Sequence, residues 1–220
     1  MSFRAVLFDV DGTLLDTLQD LADSVNAVLT RSGFLPHKVD AYRYFVGDGS
    51  TELARRSLPD SVRDVIDLDD MVKAIDEEYT GRWAVNTHPY PGIPGLLSAI
   101  SQLGLKQCVL SNKKQSFTEL TLDHFFPEHH FDIVIGAQPG LPRKPDPTAA
   151  LQIAGCMNIN PGDFMYVGDT ATDMKTAVAA GMYPVGVLWG FRDAGELLNS
   201  GAQSLAALPA DILTSLKNVI

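Results

Sequence analysis

Asp9 and Asp11 stand two residues apart at the end of an apolar run, just ahead of Gly12 and Thr13. Two carboxylates held that close repel each other unless a cation joins them. Oxygen donors at this density suit Mg²⁺, which keeps several waters and is usually bound through one or two carboxylates together with substrate phosphate. Asp169 ends another apolar run, so Asp9, Asp11 and Asp169 are the candidate metal ligands. Asp173, four residues further on, can stand behind them, holding a lysine or orienting a ligand. It also fits an acidic residue that complements a helix N-terminus.

An anion needs donors and a positive charge. Ser111 supplies a hydroxyl and Lys144 a compact ammonium, with Thr13 and Asn112 in the same segments as further candidate contacts to a phosphoryl group. The 17 Lys and Arg against 27 Asp and Glu give a formal charge of −10, so an anionic substrate would meet a repulsive field unless a local cation overcame it. Lys144 is placed for that role, because Lys144-Pro145-Asp146-Pro147 restricts the backbone ahead of a helix.

These residues must be positioned by a sheet. Five short runs, Ala5 to Val10, Gln107 to Leu110, Ile133 to Ile135, Phe164 to Val167 and Pro184 to Leu188, are near-continuously apolar rather than alternating, as in strands buried on both faces. Helical periods separate them at Ile93 to Leu103, Ser116 to His124, Pro147 to Met157 and Thr172 to Ala180. Gly104, Gly155 and Gly181 are expected to close three of these helices. The alternation predicts an α/β fold: a Rossmann-like parallel sheet with helices on both faces. In such a sheet ligands lie beyond the carboxyl ends of the strands, where every candidate above falls. After Gly190 one more short helix and an edge strand near Ser204-Leu205 are expected.

Between the first two strands the rhythm breaks. Leu18, Leu21, Ala22, Val25, Val28 and Leu29 recur at helical spacing, and helical stretches follow at Ala41 to Phe45, Thr51 to Leu58 and Leu68 to Trp83. Residues 16–85 are too many helical residues for one crossover. They read as an inserted α-helical cap domain, with residues 1–15 and 86–220 forming a discontinuous core that re-enters at Tyr90-Pro91-Gly92-Ile93-Pro94-Gly95.

Asp9-Val10-Asp11-Gly12-Thr13-Leu14 resembles the DxDGT signature of the haloacid dehalogenase-like hydrolases. Ser111, Lys144-Pro145-Asp146-Pro147 and Gly168-Asp169 through Asp173 match that family's other three motifs in order, with no departure. The resemblance implies that Asp9 is a nucleophile forming an aspartyl-phosphate. It makes Asp11 the general acid/base, which also ligates Mg²⁺ through its backbone carbonyl, and assigns Ser111 and Lys144 to the phosphoryl group and Asp169 with Asp173 to the metal site. The insertion after the first motif is similar to the C1-capped subgroup. Phe45-Val46-Gly47-Asp48-Gly49, the Arg55-Arg56 pair and Val187-Leu188-Trp189-Gly190-Phe191 are similar to bacterial phosphoglycolate phosphatases. On that resemblance the substrate is a small phosphorylated metabolite, 2-phosphoglycolate first, with Arg55 or Arg56 candidates for pairing with its carboxylate. Pyrophosphatase, sugar-phosphatase, nucleotidase and mutase activities share the fold and stay open, as does a non-catalytic phosphate-binding scaffold.

Composition narrows the rest. With 45% apolar and 20% charged residues the chain supports a sizeable core. Its negative charge argues against nucleic acid or anionic lipid as a partner. No apolar run reaches the roughly 18 residues of a membrane span, and Met1-Ser2-Phe3-Arg4 leads straight into a strand pattern, so a cytoplasmic monomer or homodimer is expected. Cys108 and Cys156 lie in apolar segments without metal-site spacing and are expected to be inert packing residues. A hydrolytic dehalogenase would share the nucleophile but not need Asp11 or Asp169. A phosphoryl-accepting signalling domain would be far shorter and lack the insertion.

Overall fold

The computed structural model describes residues 2–63 and 65–217. Six strands form one parallel sheet: β1 (Ala5–Phe8), β4 (Lys106–Lys114), β5 (Ile133–Ala137), β6 (Phe164–Gly168), β7 (Tyr183–Val187) and β8 (Ser204–Ala206). Their order is β5-β4-β1-β6-β7-β8, so the chain winds outward in one direction as far as β5 and then in the other from β6. The change of direction falls between β1 and β6, the place where loops part and leave a crevice.

Side-chain alternation along each strand divides the core in two. Val6, Phe8, Val109, Met165 and Val167 face a layer that includes Ile93, Leu97 and Ile100 of α5 (Ile93–Gln102), Leu122 of α6 (Gln115–Phe125) and Ile212 and Leu216 of α10 (Pro209–Lys217). Ala5, Leu7, Cys108, Leu110 and Tyr166 face Ala150 and Ile153 of α7 (Thr148–Met157) and Ala177 of α8 (Ala171–Ala180). Helices therefore cover both faces, as the near-continuous apolar strands require. Burial pushes the Cys108 thiol up to about 12, which keeps it unreactive. Cys156 departs from expectation: it is exposed, on the outward side of α7.

The inserted helices are α1 (Leu18–Arg31), α2 (Tyr42–Phe45), α3 (Ser50–Ser57) and α4 (Leu68–Thr80), with a 3-10 turn at Val39–Ala41. They bury a separate apolar cluster containing Leu21, Val25, Leu29, Tyr42, Leu53, Ile75 and Tyr79. The chain enters and leaves this layer along a two-stranded antiparallel ribbon, β2 (Leu15–Asp16) and β3 (His88–Pro89), too short to show any periodicity in sequence.

Three local readings are corrected. Gly155 lies inside α7, and the left-handed residue that closes this helix is Asn158, at φ +52°, whose short amide side chain tolerates that conformation. Ser111 and Asn112 belong to β4 itself. Pairing with β5 resumes at Lys114 after an irregularity, so the strand outlasts its apolar run. Beyond Gly190 there are two helices, α9 (Ala194–Asn199) and α10, flanking β8.

Asp20 pins the return passage to the first turns of α1. Its buried carboxylate accepts hydrogen bonds from the backbone N–H groups of Asn86 and Thr87, from Asn86 Nδ2 and from Thr87 Oγ1, all at 2.7–3.0 Å. Burial alone would raise its pKa, but these four donors hold the group below the usual carboxylate value. Removing the acceptor strands the two donors of buried Thr87, where water reaches poorly. Asp20→Ala is therefore expected to lower the urea-derived unfolding free energy by about 2 kcal/mol. A loss under about 0.5 kcal/mol, the range of ordinary surface substitutions, would mean the passage is held elsewhere.

Candidate active site

Asp9 and Asp11 follow β1, and Asp169 follows β6, on the two sides of the crevice. Gly12, at φ +88°, turns the chain between them. A Cβ there would lie 2.2 Å from Asp169 Oδ2, so both backbone and space demand glycine. Gly190 serves the same end from the other side: its added Cβ would come within 2.3 Å of Asp169 Cβ.

Asp169 is fully buried. It accepts hydrogen bonds from Thr13 Oγ1 at 3.1 Å and from the Phe191 backbone N–H at 2.8 Å. Asp173 is also fully buried. One of its oxygens closes a capping box with Thr170 at the start of α8, accepting from Thr170 N and Oγ1, and the other accepts from Lys144. Asp173 therefore stands both at the helix terminus and against Lys144. Lys144 Nζ lies 2.8 Å from Asp9 Oδ1, 2.7 Å from Asp173 Oδ1 and 3.0 Å from the Leu110 carbonyl. Each of its donors has a partner.

Ligand oxygens of Asp9, Asp169 and Asp173 all lie within 4.8 Å of one another. The Asp11 carboxylate is not part of this group. It turns to Lys113, whose Nζ lies 3.0 and 3.3 Å from its two oxygens and 2.8 Å from the Tyr79 hydroxyl of α4. The side chains of Thr13 and Asn112 are also engaged. Thr13 is tied to Asp169, while Asn112 donates to the Lys144 and Gly47 carbonyls and accepts from Lys144 N–H. They brace the site from within. Ser111 lines the cleft beside Asp9 and Asp11, and its Oγ accepts from Lys113 N–H.

Sequence reasoning gave Lys113 and Tyr79 no role. Lys113 stood in view beside Ser111 and Asn112, and its position at the end of a strand was the available signal. Tyr79 reads as one more apolar position of an amphipathic helix, and no local pattern distinguishes it. Arg55 and Arg56, by contrast, stay away from the cleft: Arg55 pairs with Glu52 of its own helix, and Arg56 with Asp48.

Four carboxylates and two ammoniums share this pocket, so the fully ionised set is short of positive charge. Burial first, and then the neighbouring Asp173, push the Asp9 carboxyl up to about 7 despite Lys144; Asp169 is raised well above the usual range by burial and by Asp173 and Asp9. Burial disfavours a charged Lys144, yet Asp173 and Asp9 outweigh it and hold its pKa well above normal. A hard divalent cation on Asp9, Asp169 and Asp173 would remove that deficit, and the all-oxygen donor set suits Mg²⁺. The residues present fit the ion.

The fold and the acidic cluster at its topological switch define an α/β enzyme core of the open parallel-sheet kind. The model of the haloacid dehalogenase-like hydrolases matches residues 6–187, and the chain belongs to that family. Among its relatives, the phosphoglycolate phosphatase of Pseudomonas putida is 32% identical over 209 residues, covering 92% of this chain and 75% of that one. The phosphoglycolate phosphatase of Aquifex aeolicus is 31% identical over 188 residues, 86% of each chain. The structure of a haloacid dehalogenase-like family protein from Streptococcus pneumoniae superposes with a TM-score of 0.87 at 22% identity, covering 97% of this chain and 98% of that one, which speaks for the fold.

The raised pKa of Asp9 carries a sign. A carboxyl that ionises near 3.8 when unfolded but near 7 when folded binds more protons in the native state between those values, so its contribution to stability is lost as pH rises through 7. In a chelating buffer, the Tm advantage of Asp9→Asn over wild type is expected to be larger at pH 8 than at pH 5.5. Saturating Mg²⁺ should shrink the difference at pH 8. An advantage that is flat across this range would show that Asp9 ionises normally in the metal-free protein.

Proposed function

We propose that this chain is a Mg²⁺-dependent phosphomonoesterase that works through an aspartyl-phosphate on Asp9, with 2-phosphoglycolate as its first-choice substrate. The observation that carries this reading is the buried Asp9–Lys144–Asp173 chain beside Asp169, at the floor of a cleft that the inserted helices roof over. Similarity to the two phosphoglycolate phosphatases supports the choice of ester.

Each residue then has a task. Lys144 grips Oδ1 of Asp9, fixing the carboxylate that attacks phosphorus and offsetting charge on the transferring phosphoryl group. Ser111 and backbone N–H groups at the strand ends are the hydrogen-bond donors for phosphoryl oxygens. Asp11 gives a proton to the departing alkoxide and later takes one from the water that cleaves the acyl-phosphate, so a single residue serves both half-reactions. Asp173 and the Leu110 carbonyl keep Lys144 in place. Mg²⁺, held by Asp9, Asp169 and Asp173, with the Asp11 backbone carbonyl as the family implies, would supply the charge that lets an anion approach an anion.

Residues 16–85 act in this reading as a cap over a core of residues 1–15 and 86–220. Leu21, Val46, Leu53, Ile75 and Tyr79 from the insertion line the cleft together with Asp9, Asp11 and Ser111. An apolar roof excludes water from the acyl-phosphate until the leaving group has gone.

Phosphate release from a panel of phosphomonoesters tests the assignment. With Mg²⁺, 2-phosphoglycolate is expected to give the highest kcat/KM, and EDTA should abolish turnover. Asp9→Asn should fold and lose at least a thousandfold in kcat. Residual activity within tenfold of wild type would exclude Asp9 as the nucleophile.

A further inference from the structure

Lys113 is a second buried cation in the cleft, and the steps above leave it without a task. Its side chain is 6% exposed, and its Nζ touches both oxygens of Asp11 and the Tyr79 hydroxyl, lying 4.6 Å from the centre of the Tyr79 ring. Burial opposes its charge, but Asp11 and Tyr79 keep its pKa above the usual lysine value, so it stays an ammonium.

Its position relative to the other lysine is informative. Lys144 stands with Asp9, the nucleophile of the proposed mechanism; Lys113 stands with Asp11, its proposed acid toward the leaving group. The wall facing Lys113 is largely apolar, from Leu21, Val46, Leu53, Ile75 and Phe117. Lys114, which also lines the cleft, pairs with Asp76, while Arg56 and Arg55 lie outside it, paired with Asp48 and Glu52. An anionic leaving group entering this space therefore meets one buried, mobile-stemmed ammonium next to the acid that must protonate it.

We propose that Lys113 is the specificity-determining residue of the cleft, reading a carboxylate carried by the alcohol half of the substrate close to the ester oxygen. This rests on the phosphatase reading and deepens it. The substrate carboxylate takes the place of Asp11 as the partner of Lys113, with Tyr79 retained as a neutral contact from the insertion. An ester whose alcohol is neutral leaves Lys113 on Asp11 and gains nothing from it. The arginines singled out in sequence have no part in this recognition.

The test compares 2-phosphoglycolate with its primary amide, a neutral ester of almost the same shape, in wild type, Lys113→Met, Lys113→Gln and Lys113→Arg, all with Mg²⁺. Wild type is expected to prefer the carboxylate by at least fiftyfold in kcat/KM. Lys113→Met and Lys113→Gln should cut that preference to under fivefold, while Lys113→Arg retains most of it. A lysine that merely braced Asp11 would lower both substrates alike and leave the ratio unchanged, and that result overturns the proposal. So does a wild-type enzyme that hydrolyses both esters equally well, an outcome that needs no variant to fold. If wild type releases phosphate from no ester at all, the phosphatase reading itself fails and takes this inference with it.

Discussion

An excess of buried negative charge around one ammonium governs this structure. Asp9, Asp169 and Asp173 meet at the point where the sheet reverses its winding, and Lys144 is the lysine set among them. Such a cluster is unfavourable in a low-dielectric interior unless its charges are matched or neutralised. The surrounding features answer that demand. Thr13, Thr170 and the Phe191 N–H donate to the carboxylates, Gly12 and Gly190 make room for Asp169, and burial together with mutual repulsion raises the pKa of Asp9 and of Asp169. The same deficit suits the pocket to a divalent cation, which the proposed function uses to receive a phosphoryl group. Binding chemistry and local instability have one source.

The contact between sheet and insertion is polar where it meets the site. Asn112 donates to the Gly47 carbonyl, Arg192 to that of Val46, Arg43 to that of Gly190, and Thr172 to the Asp48 carboxylate, so side chains tie the insertion and the core together across the crevice. Lys113, the partner of Asp11, adds a bond to Tyr79 of helix α4. Polar seams of this kind are exchanged for water at lower cost than a packed apolar face. The apolar surface of the insertion is spent inside its own cluster, with Phe191 and Phe117 as the core's contributions to it.

Much of this was legible along the chain because it depends on neighbours in sequence. Buried parallel strands carry continuous apolar runs, and acidic or basic residues at their ends stand out against them. The family motifs are of this local kind, and so is the capping box of Thr170 and Asp173. What failed to show was equally physical. The ribbon of β2 and β3 consists of two residues per strand, below any detectable period. β4 runs past its apolar segment because its final pairing to β5 comes from the backbone, and backbone pairing leaves no mark on residue type. Asn158 displaced Gly155 as the end of α7 because an amide side chain can do what glycine usually does. Cys156 sits in an apolar stretch whose outward side faces solvent.

The amino-acid sequence alone determined the parallel α/β layout, the helical insertion after the first strand, and the identity of the acids and the lysine at the strand ends. These follow from periodicity and from short motifs, which are read within a few residues. Only the tertiary structure decided which of those groups touch. It joined Asp9 to Lys144 across 135 positions, gave Asp11 to Lys113 rather than to the carboxylate cluster, and turned Arg55 and Arg56 away from the cleft. The reason is that partner choice between distant charges is settled by strand order and helix orientation, and no stretch of chain encodes either one by itself.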